Sequence, residues 1–490
     1  MYGVWTPEQV QAAEEPVLAR TPEGALMRRA AYGAAGVALR MLGERTGGVV
    51  GRRVVVLVGA GNNGGDGLWA GVELRRRGAA VTAVLLSPDR AHPAGLAALR
   101  AARARVLTEV EPAVTAVGRA DLVLDAIVGT SARGGLRDPA PLLVGAADTA
   151  RVPVLAIDTP SGVDPLVGTV PGDGSAVTAA ETVTFGARKP VHVLNRARCG
   201  PVTLIDIGLG PELPEPTVRV LDAADVGARW PVPGPTDDKY TQGVVGIAAG
   251  SATYPGAAVL ASGAAALATS GMVRYAGSAA DEVRAAWPEV VATDHVSDAG
   301  RVQAWAVGPG LGTDDAGAAT LRHVLDAGVP VLADADAITL LGADADLRAR
   351  AAATTTLVTP HAGEFARLVA SLDDPPDPAV DRVTAARRAA AELGVTVLLK
   401  GNATVVAAPD GRVLVHPAGS SWLATAGSGD VLSGVAGALL AAGLDPVDAA
   451  GCAAFVHARA AELGSAGSPV PASHVQAALS DAIRSVREAV

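Results

Sequence analysis

The amino-acid sequence predicts an α/β protein with two domains, each built on a parallel β-sheet that helices cover on both faces. The chain has 490 residues, whereas an ordinary domain has about 100–200. In both halves, short runs of β-branched and apolar residues alternate with longer segments of helical periodicity, which is typical of parallel strands joined by helices. Hydrophobic residues make up 49% of the chain and aromatic residues only 3%, so we expect a core of valine, leucine and alanine.

The alternation can be followed along the whole chain. In the first half, two helices are predicted in 7–45, then strands at 53–58, 81–86, 121–125, 153–157, 181–185 and 202–206, with helices at 66–77, 94–103 and 140–149. A proline-rich stretch, 208–240, lacks a sustained period and predicts a linker. In the second half, the predicted strands are 243–249, 271–275, 302–306, 330–333, 395–399, 404–407 and 412–415, and the predicted helices are 256–268, 313–326, 361–370, 379–393, 430–441, 446–463 and 471–488.

The composition argues against several classes of function. A net charge of −10 disfavours nucleic acid or a membrane surface as a partner. No apolar run approaches the roughly 18 residues of a membrane-spanning helix, and the acidic N-terminal stretch lacks the features of a signal peptide. The two cysteines, Cys199 and Cys452, are too far apart to predict a disulfide framework or a zinc site. We therefore expect a cytoplasmic protein.

Lysine is rare in this chain, since only Lys189, Lys239 and Lys400 occur among 40 basic residues. A GC-rich coding sequence would explain the preference for arginine. The remaining lysines could instead mark places that need a compact point charge rather than a planar guanidinium. Each lysine is therefore a candidate site residue, with chance as the alternative, although the sequence gives Lys189 no role.

The first candidate site follows the predicted strand 53–58. Residues 59–64 fit the G-x-G-x-x-G pattern of a dinucleotide-binding turn, but Asp66 then places a carboxylate where a diphosphate would lie. The acid that would bind a ribose hydroxyl is also missing, because Asp89 lies behind a proline. A carboxylate suits hydroxyl binding or a cation, and Asn62 and Asn63 add amide oxygens that suit an alkali or alkaline-earth ion.

Two further aspartates end predicted strands in the same half. Asp125 precedes a glycine-rich stretch, 129–135, and Asp158 precedes Ser161. An aspartate after a strand often caps the next helix, and that is the alternative for each one alone. Ligands of open parallel sheets bind at the carboxyl ends of the strands, so we expect Asp66, Asp125 and Asp158 to converge on one crevice.

The second candidate site is the segment "AGSGDVLSGVAGALLAAG". Glycines at 427 and 429 precede an apolar helix, whose first backbone N–H groups would form an anion-binding hole. Asp430 lies beside that hole and could remove the proton of a hydroxyl that attacks a phosphate. A simple helix cap would not need the two glycines, so we favour a catalytic base.

The first-half motifs "GAGNNGGDG", "DAIVGTSARGG" and "AIDTPSGVD" resemble the epimerase domain of NAD(P)H-hydrate repair enzymes over about residues 10–220. This resemblance implies a Rossmann-like three-layer αβα domain in which Asp158 is the acid/base and Asn63, Asp125 and Ser161 bind potassium. The residues it implies for the hydrated nucleotide are Asn62, Asn63, Gly64, Gly65, Asp66, Gly129, Thr130, Ser131, Ala132, Arg133, Gly134, Gly135 and Asp158.

The second-half motifs resemble the ribokinase-like superfamily, and "TYPGAA", "AVGPGLGTD", "LVTPHAGEFARL" and "LLKGNATVV" narrow this to the dehydratase of the same repair system, over about 237–487. The resemblance implies a ribokinase-like αβα domain. It assigns Ala257, Gly310, His361 and Asp430 to the hydrate, although a histidine at a helix start is often only a cap. It assigns Lys400, Gly401, Asn402, Ala403, Thr404 and Gly429 to the adenine nucleotide. Trp422 departs from the pattern of many relatives, and its effect on nucleotide binding does not follow from the sequence.

Together the resemblances imply a bifunctional enzyme, both isomerase and lyase. We expect an epimerase domain at 1–222, a linker at 223–236 and a dehydratase domain at 237–490. NAD(P)H hydrate and ADP are the expected partners, with Mg²⁺ and K⁺ as cofactors, in a homo-oligomer whose size the sequence does not give. The alternative is a ribokinase-like vitamin kinase that carries a non-catalytic N-terminal nucleotide-binding module.

Overall fold

The chain folds into two compact units in a computed structural model that describes residues 1–130, 134–172, 174–269, 271–417 and 421–490. The N-terminal unit is Gly3–Thr217, and the C-terminal unit is Met1–Tyr2 with Val218–Val490. Each contains a largely or wholly parallel sheet with helices, so the predicted α/β class is confirmed. Among the described residues, no helix combines the length and the apolar character needed to cross a membrane.

The N-terminal unit is built on a parallel sheet in the order β4-β3-β2-β5-β6-β7-β8. The order reverses between β2 and β5, which is where a doubly wound sheet opens a ligand crevice at its carboxyl edge. The elements up to residue 217 are β1 (Tyr2–Val4), α1 (Pro7–Arg20), α2 (Ala25–Thr46), β2 (Arg53–Val58), α3 (Asn62–Arg76), β3 (Ala80–Leu85), α4 (Pro93–Ala101), β4 (Arg105–Leu107), α5 (Val110–Val117), β5 (Leu122–Ala126), α6 (Ala140–Thr149), β6 (Val154–Ile157), β7 (Glu181–Phe185), α7 (Val191–Leu194), α8 (Arg196–Cys199) and β8 (Val202–Ile205).

Strand β2 shows why helices cover both faces of this sheet. Side chains alternate between faces along a strand, and both sets are buried here. Val54, Val56 and Val58 lie in the core beneath α2 and α3, while Val55 and Leu57 lie in the core beneath α5 and α6. A continuous apolar run is therefore required, and the crevice at the carboxyl edge is left for the polar residues.

Helix α3 begins at Asn62, before the predicted start at residue 66, so the segment from Asn62 to Asp66 is the first turn of a helix rather than a loop. Gly61, with φ of 86°, makes the reversal into the helix. A Cβ on Gly64 would lie 2.3 Å from the carbonyl oxygen of Gly59. Glycine at these places therefore lets the helix start directly against the end of β2.

The C-terminal unit has the sheet order β9-β18-β17-β16-β15-β14-β13-β10-β11-β12, parallel from β16 to β12 and antiparallel where β17 meets its two neighbours. Its order reverses between β10 and β13, and α17 starts at that carboxyl edge. The elements are β9 (Val218–Val220), α9 (Ala223–Arg229), β10 (Val244–Ala248), α10 (Pro255–Ala268), β11 (Met272–Ala276), α11 (Ala280–Ala286), β12 (Val291–Thr293), β13 (Ala304–Val307), α12 (Asp315–Leu325), β14 (Val331–Ala333), α13 (Asp336–Ala343), α14 (Ala345–Ala353), β15 (Thr356–Val358), α15 (Ala362–Val369), α16 (Arg382–Leu393), β16 (Thr396–Leu399), β17 (Ala403–Ala407), β18 (Val413–Pro417), α17 (Ser428–Ala441), α18 (Pro446–Ser465), α19 (Ala472–Ala477) and α20 (Leu479–Arg487).

The stretch predicted as a linker, 223–236, differs from that expectation in its first half. Residues 223–229 form α9, which packs against α18 and α20 and buries Val226. Its start is fixed by a capping box, in which Asp222 and Asp225 each accept a hydrogen bond from the other's backbone N–H. This helix has only seven residues, which is too few to show a clear helical period, and prolines lie on both sides of it in the sequence.

Two glycines in helices test how tightly the N-terminal unit is packed. A Cβ on Gly67 of α3 would lie 2.4 Å from Cβ of Ala126, whereas a Cβ on Gly36 of α2 meets nothing within 4 Å. We expect Gly67→Ala to lower the free energy of unfolding by about 1–3 kcal/mol through overpacking. Gly36→Ala should raise it by roughly 0.5–1 kcal/mol, because alanine is the better helix former. Urea unfolding followed by circular dichroism measures both, and a loss of stability in Gly36→Ala would contradict the packing described here.

Candidate active sites

The first candidate site is centred on a buried ion pair at the carboxyl edge of the N-terminal sheet. Asp158 follows β6 directly, and Lys189 comes from the segment after β7. The Nζ of Lys189 lies 2.6 Å from Oδ1 of Asp158, and the lysine side chain is 2% exposed. Thr184 on β7 also donates to the same carboxylate oxygen, at 3.0 Å. The role that the sequence did not give Lys189 is therefore to balance the charge of Asp158.

The charge state of Asp158 follows from these contacts. Burial raises the pKa of its carboxyl, but the charge and hydrogen bond of Lys189 outweigh burial, so the net pKa lies below its ordinary value. The backbone is fixed as well, since Asp158 has φ of 70°, which a non-glycine residue rarely adopts. His192 accepts a hydrogen bond at Nδ1 from the Lys189 N–H, so its Nε2 carries the proton and donates to the Asp158 carbonyl at 2.8 Å. Burial lowers the pKa of His192 to about 4 and keeps the ring neutral.

Asp66, in the first turn of α3, is the second carboxyl of this site. Burial raises its pKa well above the ordinary value, and the charges of Asp158 and Glu14 raise it further, while Lys189 lowers it. The site thus holds one carboxylate that stays ionised and one carboxyl that keeps its proton to a higher pH. Two carboxyl groups whose pKa values are shifted in opposite directions can act as a base and an acid.

Asp125 does not face the crevice in the way the sequence predicts. Its side chain is fully buried and accepts hydrogen bonds from Ile127 N at 3.2 Å, from Ser161 N at 2.8 Å and from Ser161 Oγ at 2.7 Å. Asp125 therefore ties the turn after β5 to the turn after β6, beneath the crevice. Burial raises its pKa to about 6, against these three hydrogen bonds, which lower it.

Asn63 is a polar side chain of this site that lacks a hydrogen-bond partner among the described residues. It is 9% exposed, and neither Oδ1 nor Nδ2 has a hydrogen-bond partner in the described part of the chain. Its Oδ1 lies 3.5 Å from the place that a Cβ on Gly129 would occupy, so the amide rests on the turn after β5. The N–H of Val128 in that turn donates to Ser161 Oγ, at 3.1 Å. The three predicted potassium ligands therefore surround one turn, and the orphaned amide oxygen is the kind of donor that a hard cation takes.

The other predicted residues of the first site are placed as follows. Gly64 and Gly65 are buried within α3, where they allow close packing, and Asn62 is exposed at the start of that helix. Gly129, Thr130, Gly134 and Gly135 lie in the segment after β5, partly or fully exposed. The predicted residues Ser131, Ala132 and Arg133 lie outside the described residues.

The second candidate site is also built around a lysine–aspartate pair. Lys400 follows β16 directly and Asp334 follows β14, and Nζ lies 2.8 Å from Oδ1. Ser433 on α17 donates to the other carboxylate oxygen of Asp334, at 2.7 Å. Glu364 adds a second carboxylate, 3.7 Å from the lysine Nζ. Burial lowers the pKa of Lys400, but the neighbouring carboxylates outweigh it, and the net pKa is raised.

Asp430 lies in the first turn of α17, next to this pair. Burial raises its pKa to about 6, and the charge of Asp334 contributes to the rise, while Lys400 opposes it. Gly427 caps the helix with φ of 85°, and a Cβ on Gly429 would lie 3.5 Å from Nζ of Lys400. The backbone N–H groups of this turn and the ammonium group thus converge where an anion would bind.

His361 and Glu364 form the start of α15. The imidazole Nδ1 of His361 accepts from the N–H groups of Gly363 and Glu364, at 3.0 and 3.3 Å, and Glu364 accepts from the His361 N–H at 2.8 Å. This is a capping box, which was the alternative that the sequence left open. The ring remains exposed, and its Nε2 lies 3.3 Å from Oε1 of Glu364.

Arg382, which no sequence motif singled out, holds the segment Lys400–Thr404 in place. The guanidinium of Arg382 donates to the carbonyl oxygens of Ala403, at 2.7 Å, and of Leu399, at 3.2 Å, and also to that of Lys400. A Cβ on Gly401 would lie 2.3 Å from this guanidinium, so glycine is needed there. Within the segment, Gly401 and Asn402 are exposed, Thr404 is partly exposed and Ala403 is buried.

Ala257 and Gly310 meet at the carboxyl edge of the same sheet. Gly310, with φ of 64°, follows β13, and a Cβ there would lie 3.2 Å from the Cβ of Ala257 on α10. The exposed ring of Tyr254 is carried by the residue before that helix. Small residues thus leave space beside an exposed aromatic side chain.

The residues that sequence reasoning missed are the partners rather than the acids. Asp334, Glu364 and Ser433 were not singled out, and neither was His192 or Glu14. Asp334 could have been found, because like Asp158 it follows an apolar strand directly. Ser433, His192 and Glu364 each lie three residues after a residue that was singled out, whereas Glu14 comes from a helix distant in sequence.

Two family models match the chain. Residues 245–483 match the model described as NAD(P)H-hydrate dehydratase, and residues 23–191 match the model described as YjeF-related protein N-terminus. The first covers most of the C-terminal unit, including Lys400 and Asp430, and the second covers the crevice residues from Asn63 to Lys189.

Curated relatives match over nearly the whole chain. The bifunctional NAD(P)H-hydrate repair enzyme Nnr of Mycobacterium leprae is 56% identical over 457 residues, which is 93% of this chain and 93% of that protein. The protein of the same name from Mycobacterium tuberculosis strain H37Rv is 57% identical over 92% of this chain and 91% of its own length. The one from Escherichia coli is 32% identical over 84% and 81%.

Solved structures match only the length of one unit. The ADP/ATP-dependent NAD(P)H-hydrate dehydratase of Bacillus subtilis, co-crystallised with ATP and Mg²⁺, is 29% identical, with a TM-score of 0.47, and covers 56% of this chain and 98% of that one. A ribokinase-like superfamily protein of Enterococcus faecalis is 22% identical, with a TM-score of 0.48, over 55% and 96%.

The buried pair of the first site can be tested with the rare lysines themselves. Lys189→Met leaves Asp158 buried without a cation, so we expect the free energy of unfolding of the N-terminal unit to fall by about 3–5 kcal/mol. Lys239, in the C-terminal unit, is exposed over the ring of Tyr240. Lys239→Met should therefore change the free energy of unfolding of its own unit by less than about 0.5 kcal/mol. Urea unfolding measures both variants, and equal stabilities would show that the pair does not stabilise the fold.

Proposed function

Because this chain belongs to the family of bifunctional NAD(P)H-hydrate repair enzymes, we propose that it restores hydrated NADH and NADPH in two reactions. The N-terminal unit interconverts the R and S epimers of the hydrate, and the C-terminal unit dehydrates the S epimer with ADP. The observation that carries the proposal is that each unit has one carboxyl of raised pKa beside an ion pair between a lysine and a buried aspartate.

The N-terminal site supports epimerisation by proton transfer. The reacting carbon bears a hydroxyl group beside the ring nitrogen, so loss of water leaves a C=N bond that the nitrogen lone pair supplies. Asp66 gives its proton to the departing hydroxyl, and water then adds to the other face and gives a proton to Asp158. Transfer of that proton from Asp158 to Asp66 returns the site to its starting state, and no oxidation or reduction takes place.

We propose that K⁺ is held by Asn63, Asp125 and Ser161. The orphaned amide oxygen of Asn63 supports this, and Asp125 keeps a lone-pair site beyond the three hydrogen bonds it accepts. The ion would supply a fixed positive charge next to the turn after β5. The protein's own contribution is to hold that turn and the turn at Ser161 against each other.

The C-terminal site supports phosphorylation followed by elimination. Asp430 removes the proton of the hydrate's hydroxyl group, whose oxygen then accepts the terminal phosphoryl group of ADP, with AMP as the leaving group. The phosphate ester is an intermediate. Inorganic phosphate leaves as the ring nitrogen supplies its lone pair, and loss of a proton from the neighbouring carbon restores the dihydronicotinamide.

We propose that the nucleotide binds along Lys400–Thr404 with its phosphates at the N-terminus of α17. Lys400 is part of this segment, and its Nζ lies 3.5 Å from the place that a Cβ on Gly429, in the first turn of α17, would occupy. Arg382 fixes the segment by donating to three backbone carbonyl oxygens. No group of three or more His, Cys, Asp or Glu in the described ranges could hold a metal ion. Mg²⁺ commonly binds through substrate phosphates with only one or two carboxylates, so it fits here as a partner of the nucleotide that neutralises phosphate charge.

The two activities should be separable by single substitutions. We expect Asp430→Asn to abolish ADP-dependent recovery of NADH while epimerisation continues, because the base is lost and the fold of the other unit is untouched. Asp158→Asn should abolish epimerisation while the S epimer is still dehydrated. Chromatography of the separated R and S epimers and the absorbance of NADH measure the two steps.

A different outcome would overturn the proposal. If the wild-type protein converted an alcohol and a nucleotide into a stable phosphate ester, without recovery of NADH from the hydrate, the C-terminal unit would be a small-molecule kinase. If R hydrate disappeared in Asp158→Asn as fast as in the wild type, the assignment of the N-terminal site would be wrong.

Epimerisation should depend on K⁺. At ionic strength held constant with choline chloride, we expect the rate to rise with KCl to a plateau. The reason is that the bound ion would hold the oxygen atoms of Asn63 and Ser161 together and so stabilise the turn after β5. Asn63→Ala should flatten this dependence at a low rate. Equal rates of the wild type with and without K⁺ would rule out the proposed ion site.

A further inference from the structure

A groove on the surface of the N-terminal unit runs between α2 and α3, and it shares no lining residue with either candidate active site. Its volume of about 510 Å³ lies within the range of about 300–1,000 Å³ that small-molecule sites have. The polar and aromatic side chains that line it are spaced by three or four positions along each helix, as one helical face requires. They are Arg28, Arg29 and Tyr32 on α2, and Trp69, Glu73 and Arg76 on α3.

Two aromatic rings form part of the groove. Tyr32 is 64% exposed and Trp69 is half-buried, although both belong to helices whose other faces pack in the core. Neither the hydroxyl group of Tyr32 nor Nε1 of Trp69 has a hydrogen-bond partner in the described part of the chain. Ala25 and Ala31 also line the groove, and their small side chains leave room between the helices. The rings therefore present free apolar faces and free donors to whatever enters.

The charge of the groove comes from Arg28 and Arg29. Each guanidinium group is held by one backbone carbonyl oxygen, that of Glu23 at 3.2 Å for Arg28 and that of Ile207 at 3.3 Å for Arg29. Neither arginine forms an ion pair with a carboxylate among the described residues. A guanidinium group has five N–H donors, so most of those of both arginines remain available.

The one carboxylate that lines the groove is already neutralised. Oε1 of Glu73 lies 2.6 Å from Nη1 of Arg76, one turn further along α3. The charges of Arg28 and Arg29 are therefore left over, and the groove is positive although the chain as a whole carries a net charge of −10. An anion is the ligand charge that complements it.

The groove thus asks for a ligand with two different parts. A phosphate group accepts the hydrogen bonds that guanidinium groups arrange in a fork, and it supplies the missing negative charge. A flat aromatic base stacks on tyrosine and tryptophan rings whatever its sequence identity. Inorganic phosphate would leave the rings unused, and an uncharged aromatic compound would leave the arginines unused.

We propose that this groove is a binding site for a nucleoside monophosphate, with the phosphate group on Arg28 and Arg29 and the base on Tyr32 and Trp69. The site is separate from the residues that carry out either reaction. Trp69 lies one turn after Asp66 on the same helix, so an occupant of the groove joins α2 to the helix that carries this carboxyl.

Equilibrium dialysis of the full chain against radiolabelled AMP tests the proposal. AMP can also bind in the C-terminal unit, so the number of sites per chain is compared between variants. Arg28→Glu reverses one charge of the groove, and we expect the affinity of one site to fall at least about tenfold, which removes it from the count. Tyr32→Ala keeps both arginines and should weaken the same site about fivefold or more through lost stacking.

Arg45 provides a matched control on the same helix. It is exposed, and 17 residues after Arg28 it lies about 25 Å further along α2. Arg45→Glu changes the net charge by the same amount without touching the groove, so it should keep every AMP site of the wild type. Arg28 and Tyr32 are exposed as well, and circular dichroism of each variant checks that the fold is retained.

The loss of one site in Arg28→Glu but not in Arg45→Glu supports the proposal. Wild-type AMP binding that matches that of Arg28→Glu overturns it, and so does an equal loss in both variants, which would show an effect of net charge alone. Inorganic phosphate that displaces AMP from this site as well as unlabelled AMP does would rule out a nucleoside ligand. A wild-type dimer that dissociates in Arg28→Glu, with the AMP sites unchanged, would assign the groove to a second copy of the chain.

Discussion

Both sites depend on an ion pair between a lysine and a buried aspartate that directly follows a parallel strand. A carboxylate at the carboxyl edge of a sheet is partly enclosed by the connections around it, so it loses hydration that a cation must replace. The ammonium group of Lys189 replaces the lost hydration of Asp158, and that of Lys400 replaces the lost hydration of Asp334. Lys189 pairs with Asp158, and Lys400 contacts both Asp334 and Glu364, so a further carboxyl in each site has no cation of its own. Asp66 and Asp430 are those further carboxyls, and the pKa of each is raised.

The same electrostatic arrangement serves two different reactions because the surrounding backbone differs. In the N-terminal unit, the helix after β2 begins close against the strand, and Asn63 on its first turn rests on the turn tied by Asp125 and Ser161. These surroundings provide oxygen atoms that can bind a cation and carboxyl groups that can carry a proton. In the C-terminal unit, the turn from Gly427 to Gly429 offers backbone N–H groups beside an ammonium, which suits a phosphate. The choice between proton transfer and phosphoryl transfer thus lies in what the helix start presents.

Much of this could be predicted from local sequence, and the rest depends on contacts between distant segments. An apolar run identified Asp158 at the end of a strand, and two glycines before an apolar helix identified Asp430, because each signal is contiguous in the chain. The partners are 31 and 66 residues away from their aspartates, so no local pattern could pair them. Asp125 was singled out from its position near the end of a strand, and the structure adds that hydrogen bonds from Ile127 and Ser161 hold its carboxylate inside the fold. His361 is a cap whose ring stays exposed, with Nδ1 used in the cap and Nε2 3.3 Å from Oε1 of Glu364.

The presence of lysine rather than arginine has a physical explanation at Lys189. Lys189 donates from one nitrogen to Asp158 at 2.6 Å, Thr184 at 2.9 Å and the Phe185 carbonyl at 3.2 Å, in a site where its side chain is 2% exposed. An ammonium has three donors, and all are used. A guanidinium has five donors in a rigid plane, so an arginine there would leave N–H groups unpaired in a closed space, at a cost of about 1–3 kcal/mol for each. Lys239, exposed beside Tyr240, is under no such constraint, and its survival in an arginine-rich chain has no structural reason. The enclosure of the carboxylate, rather than the need for a positive charge as such, therefore determines where lysine must remain.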